Sequence, residues 1–208
     1  MNLTNLIEER GEYWWPKADV DGWNYMNKHS YVPEKLSTHV KNKNIVVQAG
    51  GHCGFYIKEY ANIFKTVYTF EPDPLNFLCL TVNADLPNVI KFQACVGNES
   101  KYHSLGTYDR DSSAAHITGH GILPTMRIDD LKLEGCDLIQ LDTEGFEYFG
   151  LLGAAETIEK FKPVISVEWW AEWGARYGVT LQMIEDVLSK WNYKCVAEYA
   201  TDRVYTIE

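Results

Sequence analysis

The chain lacks the features that mark membrane, zinc-binding and nucleic-acid-binding proteins. No apolar run approaches the roughly 18 residues that a membrane-spanning helix needs, and no C-x-x-C pair suggests a zinc site. Positive charge is also scarce, because 19 Lys and Arg stand against 29 Asp and Glu, a formal net charge of −10. A phosphate backbone would be repelled, so nucleic acid is not the expected partner.

Cysteine usage indicates a reducing environment. The five cysteines are odd in number, widely spaced and mostly flanked by apolar residues, a pattern typical of buried free thiols. The N-terminus carries no apolar stretch of the secretory kind. We therefore expect a cytoplasmic protein without a membrane span. Its 208 residues suit one main domain with a sizeable core.

The first 43 residues are unusually aromatic. After a short helix predicted over residues 3–10, this segment fits no sheet pattern and contains the rings of Tyr13, Trp14, Trp15, Trp23, Tyr25 and Tyr31. So many rings need a partner: they either pack as a cap on the main domain or form a lid that contacts a substrate such as a sugar. We expect residues 1–43 to be this cap or lid and residues 44–208 to be the main domain.

Residues 44–71 predict a strand, a glycine turn, a helix and a second strand. The apolar run Ile45 to Val47 suits a strand buried on both faces of a parallel sheet, and Gly50 and Gly51 end it. Glu71 follows the second strand, where its carboxylate can accept hydrogen bonds from both ribose hydroxyls of a nucleoside. The unit predicts a nucleoside-binding crevice, although the glycines alone would also suit a plain strand-to-helix turn.

The remaining sequence continues the alternation of strands and helices. Strands are predicted over residues 89–96, 136–142 and 163–168, helices over 74–84, 146–160 and 180–191, and an antiparallel pair over 193–200 and 203–207. This order predicts an open, mostly parallel sheet. Residues 98–123 are too long for a simple connection and predict a hairpin or a functional loop. Their histidines do not have metal-ligand spacing, but His120 is kept as a candidate contact for the substrate.

Three motifs resemble those of the FkbM-type S-adenosylmethionine-dependent methyltransferases. They are VVQAGGHCGF at 46–55, FEPDP at 70–74 and DLIQLDTEGFE at 137–147, of which the last is the most specific. The resemblance covers about residues 44–208. Two positions depart from the family pattern, because Gln48 stands where the family usually has Asp and His52 where it has Asn.

The resemblance implies a Rossmann-like class I methyltransferase fold, with a mostly parallel seven-stranded sheet, an antiparallel C-terminal strand and S-adenosyl-L-methionine across the carboxyl ends of the first strands. Glu71 would bind the ribose, the glycines would line the methionine moiety, residues 93–96 would lie near adenine and Asp142 beside the methyl group. The residues assigned to the cofactor are Gln48, Gly50, Gly51, His52, Gly54, Phe55, Glu71, Pro72, Gln93, Ala94, Cys95 and Asp142.

The expected reaction is O-methylation of a hydroxyl on a sugar or small metabolite. The candidate catalytic residues are Asp142, Glu144, Glu168 and His120; the three carboxylates emerge at the carboxyl edge of neighbouring strands, where one could act as a general base. Carboxylates so close could instead recruit a divalent cation such as Mg²⁺, although no residue is assigned as a metal ligand.

Two other functions stay open. One is a nucleoside-cofactor-binding protein without catalytic activity. The other is an NAD-dependent oxidoreductase, for which the G-x-G-x-x-G spacing is missing. The sequence selects neither a particular acceptor nor an oligomeric state.

Overall fold

The computed structural model describes residues 5–108 and 111–207. The strands of these residues are β1 (Ile7–Arg10), β2 (Tyr13–Pro16), β3 (Ile45–Ala49), β4 (Thr66–Phe70), β5 (Val89–Phe92), β6 (Cys95–Val96), β7 (Tyr102–Tyr108), β8 (Asp111–Met126), β9 (Leu138–Leu141), β10 (Val164–Glu168), β11 (Tyr193–Tyr199) and β12 (Asp202–Ile207). Their α-helices are α1 (Asp21–Lys28), α2 (Val32–Thr38), α3 (Phe55–Ile63), α4 (Pro74–Asn83), α5 (Glu147–Leu152), α6 (Ala155–Phe161), α7 (Ala171–Ala175) and α8 (Leu181–Ser189). None of the helices in the described part of the chain is both long and apolar enough to cross a membrane.

Seven strands form the main sheet, in the order β11-β12-β10-β9-β3-β4-β5. The pairs from β10 to β5 are parallel, whereas β12 is antiparallel to both β10 and β11. The prediction of a mostly parallel seven-stranded sheet with an antiparallel C-terminal strand is therefore confirmed. Because the central strands run in one direction, their carboxyl ends meet at one edge of the sheet.

Apolar side chains bury both faces of this sheet. Consecutive residues of β3 point to opposite faces, as the two-residue period of a strand requires. Val46 belongs to the cluster under β2, α3 and α4, and Val47 belongs to the cluster under α5, α6 and α8. A strand covered on both faces needs a continuous apolar run, which is what residues 45–47 provide.

The N-terminal segment differs from its prediction. In place of a helix over residues 3–10, β1 and β2 pair as an antiparallel hairpin, with Ile7 opposite Pro16; residues 1–4 lie outside the described range. Trp15 is fully buried, and the ring of Tyr13 stacks on Phe55 of α3 with centroids 4.9 Å apart. These contacts with the main domain outweigh the local helical pattern, since propensity is weaker than packing.

Two predicted elements are interrupted. The strand over residues 89–96 divides into β5, in the main sheet, and β6, which pairs with β8. The helix over residues 146–160 divides into α5 and α6 around Gly153. At this point the backbone approaches Gly97 so closely that a Cβ on Gly153 would collide with the Gly97 carbonyl oxygen. A tertiary contact therefore separates the two helices.

The segment over residues 98–123 lies mainly within a hairpin, β7 and β8, as one of its two interpretations predicted. Asn76 Nδ2 donates to the Ser112 carbonyl oxygen at 3.0 Å, and the Tyr177 hydroxyl donates to the Ile117 carbonyl oxygen at 2.7 Å. These bonds hold the hairpin beside the carboxyl edge of the main sheet.

Replacing Gly153 with alanine tests the close approach to Gly97. We expect Gly153→Ala to lower the free energy of unfolding by about 1–3 kcal/mol, because the added methyl group overpacks a closed contact. Gly135→Ala is the matched control, since a Cβ there would meet only Ile45 Cδ1, at an ordinary 3.7 Å. Chemical denaturation measures both, and equal effects would show that this contact does not constrain the fold.

Candidate active site

A cavity of about 300 Å³ lies at the carboxyl edge of the sheet. The glycine turn after β3, the ends of β4, β9 and β10, the β7–β8 hairpin and α1 all contribute to its lining. The volume is at the lower end of the usual range for small-molecule pockets. The cavity is therefore the candidate site for both a cofactor and its reaction partner.

The glycine turn brings the end of β3 against β9. The backbone N–H groups of Gly50 and Gly51 both donate to the Phe70 carbonyl oxygen, at 2.9 and 2.8 Å. Gly50 has a φ of 92°, and a Cβ at this position would collide with the Asp142 carbonyl oxygen. Only glycine satisfies both the backbone angle and the space.

Glu71 is held rigidly at the end of β4. Its Oε2 accepts from the His52 backbone N–H at 2.7 Å, and its Oε1 accepts from the Asp73 backbone N–H at 2.8 Å. Each carboxylate oxygen retains acceptor capacity for a further donor. Burial raises the pKa of Glu71 to about 7, although the charge of His52 and these hydrogen bonds oppose the rise.

A buried ion pair joins the glycine turn to the N-terminal segment. His52 Nε2 lies 3.1 Å from Asp19 Oδ2, and both side chains are at most 5% exposed. Burial alone would lower the pKa of His52, but the hydrogen bond and charge of Asp19 outweigh it, so this pKa is raised. Burial would likewise raise the pKa of Asp19, but His52 and two further donors lower it. The two residues stabilise each other's charged forms.

Further donors complete the surroundings of Asp19. Trp15 Nε1 donates to Asp19 Oδ2 at 2.9 Å, and the Gly22 backbone N–H donates to Oδ1 at 2.9 Å. The Ser112 hydroxyl of the β7–β8 hairpin donates to Oδ2 at 3.0 Å and lies 3.1 Å from His52 Nε2. The N-terminal segment, the hairpin and the glycine turn therefore meet at one buried group of polar side chains.

The loop after β9 explains the sequence DTEGFE. Glu147 Oε1 accepts from the Thr143 backbone N–H at 2.8 Å, from the Thr143 hydroxyl at 3.1 Å and from the Gly145 backbone N–H at 3.1 Å. Glu144 adopts a left-handed φ of 59°, and Gly145 has a φ of 100°. Glu147 thus holds the loop in a conformation that places Asp142 and Glu144 on the cavity.

Three carboxyl groups on the cavity lie close together. One oxygen each of Asp142, Glu144 and Glu168 lies within 4.8 Å of the others. Burial, followed by the charges of Asp142 and Glu147, raises the pKa of Glu144 to about 10. Burial and the charge of Asp142 also raise the pKa of Glu168, and these two side chains share a hydrogen bond. The cluster can therefore hold protons or a cation.

The structure brings together some of the predicted site residues and not others. The residues on the cavity are Gly50, His52, Glu71, Pro72, Ala94, Cys95, Asp142, Glu144 and Glu168. The residues that do not line it are Gln48, Gly51, Gly54, Phe55, Gln93 and His120. Gln48 turns into the sheet and donates to the Gly50 carbonyl oxygen at 2.8 Å, whereas Gln93 and His120 are exposed. The side chain of Phe55 packs in the core.

Several cavity residues were not assigned to the site from the sequence, although Tyr25 belongs to the aromatic segment that could form a substrate-contacting lid. Asp21 and Tyr25 come from α1, and Ser112 comes from β8. The aromatic composition of residues 1–43 indicated a cap, but no local pattern could relate a residue of this segment to positions 30 or more away. Of the tryptophans after Glu168, Trp170 and Trp173 line the cavity, and Trp169 packs against Gly174.

The central strands of the main sheet are parallel, the last strand is antiparallel, and the cavity lies at the carboxyl ends of the parallel strands. These features define a Rossmann-like class I methyltransferase fold. Within this class the sequence is more specific. Residues 44–195 match the family model of the methyltransferase FkbM domain, so the chain belongs to the FkbM family of S-adenosylmethionine-dependent methyltransferases. No curated protein matches the chain significantly in sequence.

Solved structures share the fold at low sequence identity. The methyltransferase FkbM from Methylobacillus flagellatus KT is 18% identical, with a TM-score of 0.54 over 84% of this chain and 50% of that one. This chain therefore spans about half the length of that relative. Magnesium protoporphyrin IX methyltransferase (ChlM) from Synechocystis PCC 6803, with bound SAM, is 9% identical, with a TM-score of 0.51 over 89% and 81% of the two chains. At these identities the likeness establishes the fold alone.

The Asp19–His52 pair predicts a dependence of stability on pH. Because the folded-state pKa of His52 is raised, its contribution is complete below about pH 6.5, the ordinary histidine pKa, and is lost as the pH rises through the folded value. We expect the melting temperature of the wild type to fall between pH 6 and pH 9. In the double variant Asp19→Asn/His52→Asn the fall should be smaller, with Glu71 and Glu144 still contributing in the same direction.

His120→Asn is the control for this measurement, because His120 is an exposed histidine outside the pair. The melting temperature of the His120→Asn variant should depend on pH as that of the wild type does. A double variant with an unchanged profile would show that the pair does not carry the dependence.

Proposed function

We propose that this protein transfers the methyl group of S-adenosyl-L-methionine to a hydroxyl oxygen of a sugar or small metabolite. The observation that carries this proposal is one cavity that joins Glu71, at the end of β4, to the carboxylates beyond β9 and β10. The first feature suits a nucleoside cofactor, and the second suits activation of a hydroxyl group. Both requirements of the reaction are met within one cavity.

The residues on the cavity fit the cofactor. Glu71 uses only part of its acceptor capacity on backbone N–H groups, so it can bind both ribose hydroxyls. Phe70, Ala94 and Cys95 offer an apolar wall beside Glu71 for the adenine ring. Gly50 leaves the backbone open to close approach. Gln48 supports the Gly50 carbonyl group from behind, so in this proposal it shapes the turn without contacting the ligand.

The cofactor supplies an electrophilic methyl group on a sulfonium when it is bound. The protein's own part is to align the acceptor oxygen, exclude water and receive the hydroxyl proton. Asp142 and Glu168 lie where that proton would leave, and Glu144 adjoins them. His120 has no part in this proposal, since it does not line the cavity.

Aromatic rings define the acceptor side of the cavity. Trp170 is 43% exposed and lies beside Trp173, with ring centroids 5.6 Å apart. Flat apolar surfaces of this kind suit the carbon face of a sugar or an aromatic ring. Tyr25 of α1 also lines the cavity. We therefore assign residues 5–43 the role of a cap on the acceptor side and residues 44–207 the role of the catalytic domain.

Calorimetric titration with S-adenosylhomocysteine, the demethylated product, tests the cofactor assignment. We expect Glu71→Ala to weaken binding roughly 100-fold or more, because two hydrogen bonds to a charged acceptor are lost. Glu59→Ala is the control, since Glu59 is an exposed carboxylate on α3. Thermal unfolding without ligand establishes that each variant is folded. Unchanged affinity in folded Glu71→Ala would remove Glu71 from the site.

Two further measurements separate the alternatives. Binding of NAD⁺ in place of S-adenosylhomocysteine would favour an oxidoreductase and overturn the proposal. Methyl transfer from labelled S-adenosyl-L-methionine to a panel of monosaccharides and cyclic alcohols measures the activity directly. Tight cofactor binding without transfer to any hydroxyl compound would favour a protein that binds the cofactor without catalysis.

A further inference from the structure

The carboxylates of Asp142, Glu144 and Glu168 form an arrangement that proton transfer alone does not require. They come from two neighbouring strand ends, because Asp142 and Glu144 follow β9 and Glu168 ends β10. One oxygen of each lies within 4.8 Å of the others. A general base needs one carboxylate, whereas the charges of carboxylates so close together raise one another's pKa values.

Two of these carboxyl groups are incompletely satisfied. Among the described residues, no group other than a carboxyl of the cluster can donate to Oε2 of Glu144 or Oε2 of Glu168, and each residue is only 5% exposed. No salt bridge within the described part of the chain reaches any of the three. Buried oxygens of this kind are costly unless a proton or a cation occupies the space between them.

We propose that Asp142, Glu144 and Glu168 bind a hard divalent cation of the Mg²⁺, Mn²⁺ or Ca²⁺ class, and that the methyl acceptor completes its coordination through two adjacent oxygens, as in a vicinal diol. The second part of this inference, the coordination of the cation by the methyl acceptor, rests on the proposed function. Cation binding itself is independent of that function.

The chemistry and spacing of the ligands suit such a cation. Carboxylate oxygens are the preferred ligands of hard divalent ions. Bonds from carboxylate oxygens to such ions are roughly 2.0–2.6 Å long. Oxygens within 4.8 Å of one another are close enough for all three to reach one ion.

Neighbouring groups orient the carboxylates for this task. The Thr201 hydroxyl donates to Glu168 Oε1 at 2.9 Å and lies 2.9 Å from the Tyr25 hydroxyl. This contact leaves Glu168 Oε2 directed to the cluster. Glu147 fixes the loop that carries Glu144. Outer groups of this type orient ligands in established metal sites.

A cation explains how a hydroxyl group could react here. Three carboxylate oxygens leave about half of a six-coordinate shell open, and the open side is the cavity that Trp170 and Trp173 also line. A vicinal diol would fill two of these positions. The bound hydroxyl would give its proton to the carboxylate group of Asp142, its oxygen would bond to the methyl carbon, and the electron pair of the broken carbon–sulfur bond would stay on sulfur.

Electron paramagnetic resonance of free Mn²⁺ tests the cation site. We expect the wild type with S-adenosylhomocysteine to bind one Mn²⁺ per chain, and Mg²⁺ or Ca²⁺ to displace it. Glu144→Gln should weaken Mn²⁺ binding at least tenfold. Glu172→Gln, which changes an exposed carboxylate on α7, should leave it unchanged.

Thermal unfolding distinguishes a lost ligand from a lost fold. Without metal, Glu144→Gln should melt at or above the wild-type temperature, because glutamine matches the buried side chain in size and cannot ionise. Addition of Mg²⁺ should raise the melting temperature of the wild type and leave that of Glu144→Gln unchanged. A variant that melts lower without metal and still responds to Mg²⁺ would overturn the assignment of Glu144.

The acceptor part is tested with catechol and phenol as probes. Catechol, but not phenol, should lower the water-proton relaxation caused by protein-bound Mn²⁺, because it displaces two water molecules. Equal effects of the two probes would overturn the two-oxygen requirement.

The two ligands separate the cation site from the proposed function. If the protein binds S-adenosylhomocysteine but does not bind Mn²⁺, the cation site is overturned in favour of a shared proton and the proposed function stays intact. If the protein binds Mn²⁺ but does not bind S-adenosylhomocysteine, the cation site is supported and the proposed function is contradicted.

Discussion

The buried pair of Asp19 and His52 is the interaction on which the arrangement of the site depends. It joins the N-terminal segment to the glycine turn, and Ser112 adds the β7–β8 hairpin to the same group. A buried charge without a partner costs several kcal/mol, so these segments must assemble together. His52 also has a left-handed φ of 45°, a conformation that asparagine adopts more readily. The ion pair offsets this strain, which gives a physical reason for histidine at a position where the family usually has asparagine.

The direction of the strands determines where the chemistry collects. Glu71, Asp142 and Glu168 are distant in sequence, but each follows or ends a parallel strand, and parallel strands end at one edge. The backbone of Gly50 lies in close contact with Asp142 at the end of β9, and Glu147 holds the loop that follows β9 through hydrogen bonds. The same geometry concentrates carboxyl groups in a buried place, where burial and their mutual repulsion raise the pKa values of Glu144 and Glu168.

Sequence patterns predicted the main sheet and the carboxylates at its edge because both depend on local periodicity. They did not predict the β1–β2 hairpin or the break between α5 and α6. The hairpin depends on the burial of Trp15 in the core, and the break depends on the close contact between the backbones of Gly153 and Gly97. Each of these contacts joins residues that are far apart in the chain, so no local pattern contains it.

The sequence by itself determined the family, the order of strands and the positions of Glu71 and Asp142, since strand ends and motifs are local features. Only the tertiary structure decided which side chains face the cavity. In the folded protein, Gln48 donates to the Gly50 carbonyl oxygen, His120 is exposed on the hairpin and Asp19 pairs with His52. The physical reason is that burial and pairing depend on distances in space, and these distances are defined only when the sheet, the cap and the hairpin pack together.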